Sequence, residues 1–262
     1  MRRNAAERDG STHAGRGRHC LYIYVDFMQE PDKYYQEGPS GKVKARIEVA
    51  AGERCLIVPY RELSLNAVEE LAPRAIVMSG FADHLQSRRI EWFYGAEEVL
   101  RLCERPTLCI CGTHQLLAHL WGRDIRRLKG LRDLPMRRIG KDEDWPREPR
   151  ARPELDLSGY FIARGHFPIR RLKPDPLFTG LPETMVMRCS HYCEVKKLPE
   201  GFELIATSGH CRIEAMRLRH ETRILYGVQF HPESYAEPFM HGKLLLENWA
   251  GIVERYWRRK NV

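Results

Sequence analysis

The tightest constraint on how this chain can fold is the alternation, through its first half, of short apolar runs with stretches of helical periodicity. Cys20–Phe27 is rich in β-branched and aromatic residues and reads as a strand, followed by an acidic, Pro-containing turn region. Cys55–Val58 is a second apolar run. A helical segment over Leu65–Leu71 follows it, and Ala75-Ile76-Val77-Met78 then enters the turn Ser79-Gly80. Phe93–Cys103 carries helical apolar spacing, and Pro106 stops it before the buried-looking run Thr107–Ile110. Beyond Cys111-Gly112, Leu116, Leu117 and Leu120 recur at helical spacing within Thr113–Leu120, which ends at Gly122. Strands alternating with helices indicate an α/β fold around a mostly parallel sheet.

The second half reads differently. Lys129–Asp156 is charged and rich in Arg and Pro, the composition of an exposed excursion with little regular structure, suited to a lid or a docking loop. Extended-looking segments at Tyr160–Ala163, Met185–Arg188, Phe202–Thr207, Cys211–Leu218 and Ile224–Phe230 are expected to supply the far half of the sheet. Pro238–Trp257 places Leu244, Leu245, Trp249, Ile252, Val253 and Tyr256 three and four apart, an amphipathic closing helix. Met1–Arg18 has too little apolar content to offset the entropy of ordering and reads as a disordered tail, so one domain over residues 19–262 is expected.

A chain of 262 residues with 43% hydrophobic content can bury the core of one large enzyme-like domain. No run approaches the ~18 apolar residues that span a bilayer, so no membrane insertion is expected. The basic start is followed by polar residues instead of an apolar segment, which argues against a signal peptide and for the cytoplasm. Eight irregularly spaced cysteines then read as reduced thiols. Cys189, His191, Cys193, His210 and Cys211 lie close in sequence, but no paired ligand spacing stands out, and buried or strand-borne thiols without a metal are the expectation. The formal charge of +8 raises nucleic-acid binding. The basic residues are scattered among acidic ones and form no nucleic-acid-binding module, so a solvated face or a docking surface for an acidic partner is expected instead.

Cys111 carries the chemistry. A nucleophile at a sharp strand-to-helix turn is exposed at the carboxyl end of the sheet, and the positive end of the following helix favours its thiolate. By itself Cys111 would be read as an ordinary buried cysteine. More than a hundred residues later, however, Tyr226-Gly-Val-Gln-Phe-His231-Pro-Glu233-Ser places a His and a carboxylate two apart at the end of an apolar strand. Residues two apart in extended backbone share a side. Glu233 can therefore orient one ring nitrogen of His231 while the other takes the proton of Cys111.

With these residues in view, Pro106-Thr-Leu-Cys-Ile-Cys111-Gly-Thr-His-Gln115 resembles the nucleophile elbow of class I, triad-type glutamine amidotransferases, and Tyr226–Glu233 resembles their C-terminal His-x-Glu motif. Ala75–Gly80 is similar to the strand leading to the family's oxyanion loop, and Leu177–Pro199 to its segment around a Ser-His pair. The resemblance implies an open, mostly parallel sheet with helices on both faces and a flavodoxin-like core. It implies glutamine as substrate, a Cys111-His231-Glu233 triad, a glutamyl thioester, oxyanion donors at Gly80 and Gly112, and glutamine held by Gln115, Ser190 and His191. It also implies no cofactor and a separate synthetase or acceptor protein that receives the ammonia. This chain departs from the family pattern at Cys109 and Thr113, where Gly is usual, and at Phe81 after the oxyanion-loop glycine. Two other readings use the same residues: a stand-alone hydrolase of γ-glutamyl amides or peptides, and a catalytically inert binding module.

Overall fold

The computed structural model describes residues 21–27, 39–81, 83–143 and 156–260. The tail expected over Met1–Arg18 lies outside them. The strands are β1 (Leu21–Asp26), β2 (Arg54–Pro59), β3 (Ala75–Met78), β4 (Thr107–Ile110), β5 (Ala163–Arg171), β6 (Thr184–His191), β7 (Phe202–Thr207), β8 (Ala215–Leu218) and β9 (Leu225–Val228). The α-helices are α1 (Pro39–Ala51), α2 (Leu65–Leu71), α3 (Tyr94–Leu102), α4 (Gly112–Leu120) and α5 (His241–Lys260).

All nine strands form one sheet in the order β2-β1-β3-β4-β9-β8-β7-β5-β6. The first five are mutually parallel and the rest add an antiparallel extension. Side chains alternate across the pleat, so each strand feeds two cores. Tyr22, Tyr24, Val77, Leu108, Ile110 and Val228 face α1 and α5, meeting Val43, Ile47, Leu245 and Trp249. Ile23, Val25, Ile76, Met78 and Cys109 face α2, α3 and α4, meeting Val68, Val99, Leu116 and Leu117. Because both faces are covered, β3 and β4 are buried at every position, which is why they read as continuous apolar runs.

Two elements differ from the sequence reading. Helix α1 was not expected: only Val43 and Ile47 of its residues point into the core, and Gly41 and the exposed Val49 blur its stripe. Strand β5 begins where the expected segment Tyr160–Ala163 ends and continues to Arg171, with Gly165 and Pro168 inside it disguising a strand that alternates Arg164, His166 and Arg170 with apolar neighbours. The described part of the basic excursion is not simply exposed. Leu131, Asp133 and Met136 are buried, and bridges join Pro135 to Cys193 and Arg138 to Tyr160.

Candidate active site

Cys111 follows β4 and caps α4, where the carboxyl ends of the parallel strands meet. Its amide donates to Val228 O at 2.7 Å, tying the elbow to β9, and its carbonyl accepts the first helical bond from Gln115 N at 3.1 Å. The turn demands φ +53° and ψ −107° at Cys111, one of only two non-Gly residues with positive φ among the described residues. Such a conformation costs roughly 1–3 kcal/mol and persists where surroundings impose it.

Two glycines let the neighbouring backbones close in. A Cβ on Gly80, just past β3, would lie 3.1 Å from Cys111 Cβ and 3.4 Å from His231 Cε1, with Gly112 N at 3.5 Å. A Cβ on Gly112 would fall 2.6 Å from the Phe81 ring. Gly80 and Gly112 thus flank the Cys111 side chain, and Phe81 is accommodated because position 112 has no side chain.

Beyond β9, His231 Nδ1 lies 2.6 Å from Glu233 Oε1. The pair is not made by strand alternation as the sequence suggested: β9 ends at Val228, and Pro232–Ser234 is a 3-10 turn that folds Glu233 back onto the imidazole. Burial alone would keep His231 neutral, but the Cys111 sulfur and the Glu233 carboxylate, both also hydrogen-bonded to the ring, hold its pKa well above the usual histidine value. The arrangement can carry a thiolate–imidazolium pair oriented by a carboxylate. Arg46 of α1 clamps the turn from outside. It donates to the carbonyl of Glu233 and, at 2.6 Å, to that of Tyr235, whose ring it covers at 3.9 Å.

Cys111 lies between two spaces. One, of about 410 Å³, is bordered by His231, Glu233, Gly80, Ser190 and His191. The other, of about 20 Å³, is bordered by Gln115, Asp133, Ser190, His191, Tyr192 and Cys193. As it stands the second is room for about one water. The Gln115 amide nitrogen donates to Cys193 O at 2.7 Å and to Gln229 Oε1 at 3.2 Å, and the Gln229 amide in turn approaches Cys111 Sγ at 3.8 Å. Ser190 is exposed and His191 buried. The structure therefore brings all eight sequence-predicted site residues to one place. Sequence reasoning missed Asp133, Gln229 and Arg46. Gln229 stood inside the quoted His-x-Glu motif, two residues before His231, whereas Asp133 was hidden in a stretch read as exposed. The largest cleft, about 720 Å³, lies at the opposite edge of the sheet among Arg217, Arg219, Arg223, Arg255 and Arg259 and contains none of these residues.

The cysteine- and histidine-rich region departs from expectation. Cys189, His191 and His210 converge, joined by Glu214, which the sequence reading did not consider. Cys193 groups instead with His84 and Asp133, and Cys211 belongs to neither group. No helix among the described residues is long and apolar enough to cross a membrane.

The profile of the family described as "Glutamine amidotransferase class-I" matches residues 45–250. The glutamine-hydrolyzing subunit of the GMP synthase of Methanosphaera stadtmanae is 30% identical over 193 residues, covering 74% of this chain and 82% of that protein. The protein of the same name from Archaeoglobus fulgidus is 35% identical over 159 residues, covering 61% and 68%. Among solved structures, a Thermoplasma acidophilum protein provisionally assigned as one of the GMP synthase subunits superposes with a TM-score of 0.66 at 21% identity, covering 93% of this chain and 99% of that one. The glutaminase domain of Trypanosoma brucei CTPS, solved with acivicin, superposes with a TM-score of 0.58 at 18% identity, covering 88% and 94%. At these identities the superpositions speak for the fold.

Proposed function

Because this chain belongs to the glutamine amidotransferase class-I family, we propose that it hydrolyses the side-chain amide of glutamine with Cys111 as nucleophile, His231 as proton shuttle and Glu233 as orienting carboxylate. The observation that carries this reading is the imidazole of His231, bonded to Glu233 at 2.6 Å on one side and to the Cys111 sulfur on the other. His231 takes the thiol proton as Cys111 Sγ bonds to the amide carbon. The oxygen, now negative, faces the backbone amides of Gly80 and Gly112, each such donor contributing roughly 3–4 kcal/mol in comparable sites. The C–N bond breaks as His231 returns its proton to the departing ammonia. Water, deprotonated by His231, then cleaves the thioester and releases glutamate. Gln115, Ser190 and His191, with Asp133 behind them, form the wall that holds the amino-acid end of the substrate. No step calls for a cofactor.

The relatives named as glutamine-hydrolyzing subunits of GMP synthase support a narrower reading: the ammonia passes to a separate, GMP-forming synthetase protein, and the pair works in the cytoplasm, where cysteines stay reduced. The test is glutamate and ammonia release by the purified chain, alone and mixed with the synthetase component of an archaeal GMP synthase, beside its Cys111→Ala variant. Release that Cys111→Ala cuts by roughly 10³-fold or more is expected, together with glutamine-dependent GMP formation in the mixture. A chain inert in both settings, with no glutamyl adduct on Cys111, would sink the assignment. Efficient cleavage of γ-glutamyl peptides without a partner would replace it with the stand-alone hydrolase.

A further inference from the structure

Behind the wall of the Cys111 site, β6 and the loop between β7 and β8 bring four metal-ligating side chains together. Cys189 and His191 are two apart on β6 and share a side of the strand. His210 and Glu214 come from the loop that precedes and enters β8. One donor atom from each of the four lies within 4.8 Å of the others, and all four side chains are at least nine-tenths buried. Buried polar groups are normally hydrogen-bonded. Here His191 Nε2, His210 Nε2 and Glu214 Oε2 have no hydrogen-bond partner among the described residues. His210 Nε2 comes within 3.2 Å of Glu214 Oε1 without a hydrogen bond forming between them.

The opposite ends of the same groups are anchored. His191 Nδ1 is 3.2 Å from Cys193 O, a contact that makes Nδ1 the donor and leaves Nε2 with a free lone pair. His210 Nδ1 is 3.1 Å from Ser208 Oγ. The same hydroxyl donates to Glu214 Oε1 at 2.7 Å. An outer partner on each imidazole and on the carboxylate, with the inner atoms left open and convergent, is how proteins orient ligands toward a metal.

We propose that Cys189, His191, His210 and Glu214 form a structural zinc site. One thiolate, two imidazoles and one carboxylate suit a borderline-soft, tetrahedral cation, and four protein ligands leave no open position for catalysis. Tetrahedral angles with Zn–N of about 2.0–2.1 Å and Zn–S of about 2.3 Å put donors roughly 3.3–3.8 Å apart, so the cluster closes by about 1 Å on binding. Binding displaces the thiol proton of Cys189 to solvent and leaves both imidazoles neutral. The ion would clamp the end of β6 to the 208–214 loop. Ser190, between two ligands, and the backbone of His191 form part of the wall beside Cys111, so the clamp holds that wall in place. The proposal does not depend on the role of Cys111.

The full chain, stripped with a chelator and dialysed, is titrated with zinc and separately with cobalt(II), with elemental analysis and visible absorption as readouts. One zinc per chain, a higher Tm on zinc addition, and a cobalt spectrum with thiolate charge-transfer and intense tetrahedral d–d bands are expected. Cys189→Ser abolishes the charge-transfer band, and His210→Ala weakens binding at least tenfold, whereas Cys111→Ala leaves both signals intact. Far-UV circular dichroism checks that the variants fold. No stoichiometric zinc in the wild-type chain overturns the proposal, and so does a charge-transfer band lost with Cys111→Ala but kept in Cys189→Ser, which would place the ion on the triad cysteine.

Discussion

Cys111 holds a conformation that L-residues avoid, and its surroundings explain why it stays there. Thr113 stands where the related family usually has Gly, and its buried hydroxyl accepts from Ile110 N at 2.9 Å while lying 2.9 Å from Met78 O and 3.1 Å from Ile110 O, either of which can take its proton. The side chain thus stitches the ends of β3 and β4 together instead of crowding the elbow, so its departure from the family pattern is compatible with a working nucleophile. On the other side of the sulfur, Glu233 should matter most through charge. Glu233→Gln keeps the shape but removes the negative partner of His231, so the imidazolium loses its proton at lower pH than in the wild type. Glutamine hydrolysis is expected to fall by roughly 10²–10⁴-fold, by analogy with orienting carboxylates elsewhere. The alkaline limb of the Cys111 alkylation rate is expected to move to lower pH. An unchanged alkylation profile would remove Glu233 from the triad.

At the scale of elements, the site is assembled by ends: β3 delivers Gly80, β4 and α4 deliver Cys111, and the turn after β9 delivers His231 and Glu233. Helix α1 serves as the brace, since the Arg46 fork bridges the carbonyls of Glu233 and Tyr235. Lysine cannot match two carbonyls with one ammonium. Arg46→Ala is expected to lower kcat about tenfold to a hundredfold with a smaller change in KM, because misplacing the orienting turn harms the step that moves protons more than binding. Arg46→Lys should recover only part of that loss. Steady-state kinetics on the two variants checks it, and a pure KM effect would assign Arg46 to substrate entry instead. This brace was not legible in the sequence. The helix that carries it buries little, and a helix that buries little leaves a weak periodic pattern.

For the whole molecule, stability toward acid should depend on His114, which α4 buries between the chain at Ile213 and the small Gly227 of β9. Burial pushes its pKa down to about 4, against hydrogen bonds to backbone carbonyls that only partly offset it. A depressed folded value means the unfolded chain binds the proton more tightly. The stability tied to a neutral His114 is complete above about pH 6.5 and is lost as pH falls toward about 4. Between pH 7 and pH 5 the loss should be roughly 2 kcal/mol, and urea midpoints of His114→Gln should fall less steeply over that range than those of the wild type. Parallel slopes would show that His114 is already protonated in the fold. Much of the architecture was written locally. Runs such as Ala75–Met78 and Thr107–Ile110 are apolar at every position because strands covered on both faces have no wet side, and this, with the Cys111 elbow and the His-Pro-Glu turn, made the α/β class and the triad readable from residue order. What order could not carry was proximity between residues whose local patterns are silent. Asp133 sits in a stretch that looks exposed, Gln229 gains a role only once Gln115 and Cys111 lie beside it, and Glu214 joins Cys189, His191 and His210 only because β6 and the β7–β8 loop meet. Periodicity reports which face of an element is buried; which polar groups share that burial is decided by the sheet order that packs the elements together.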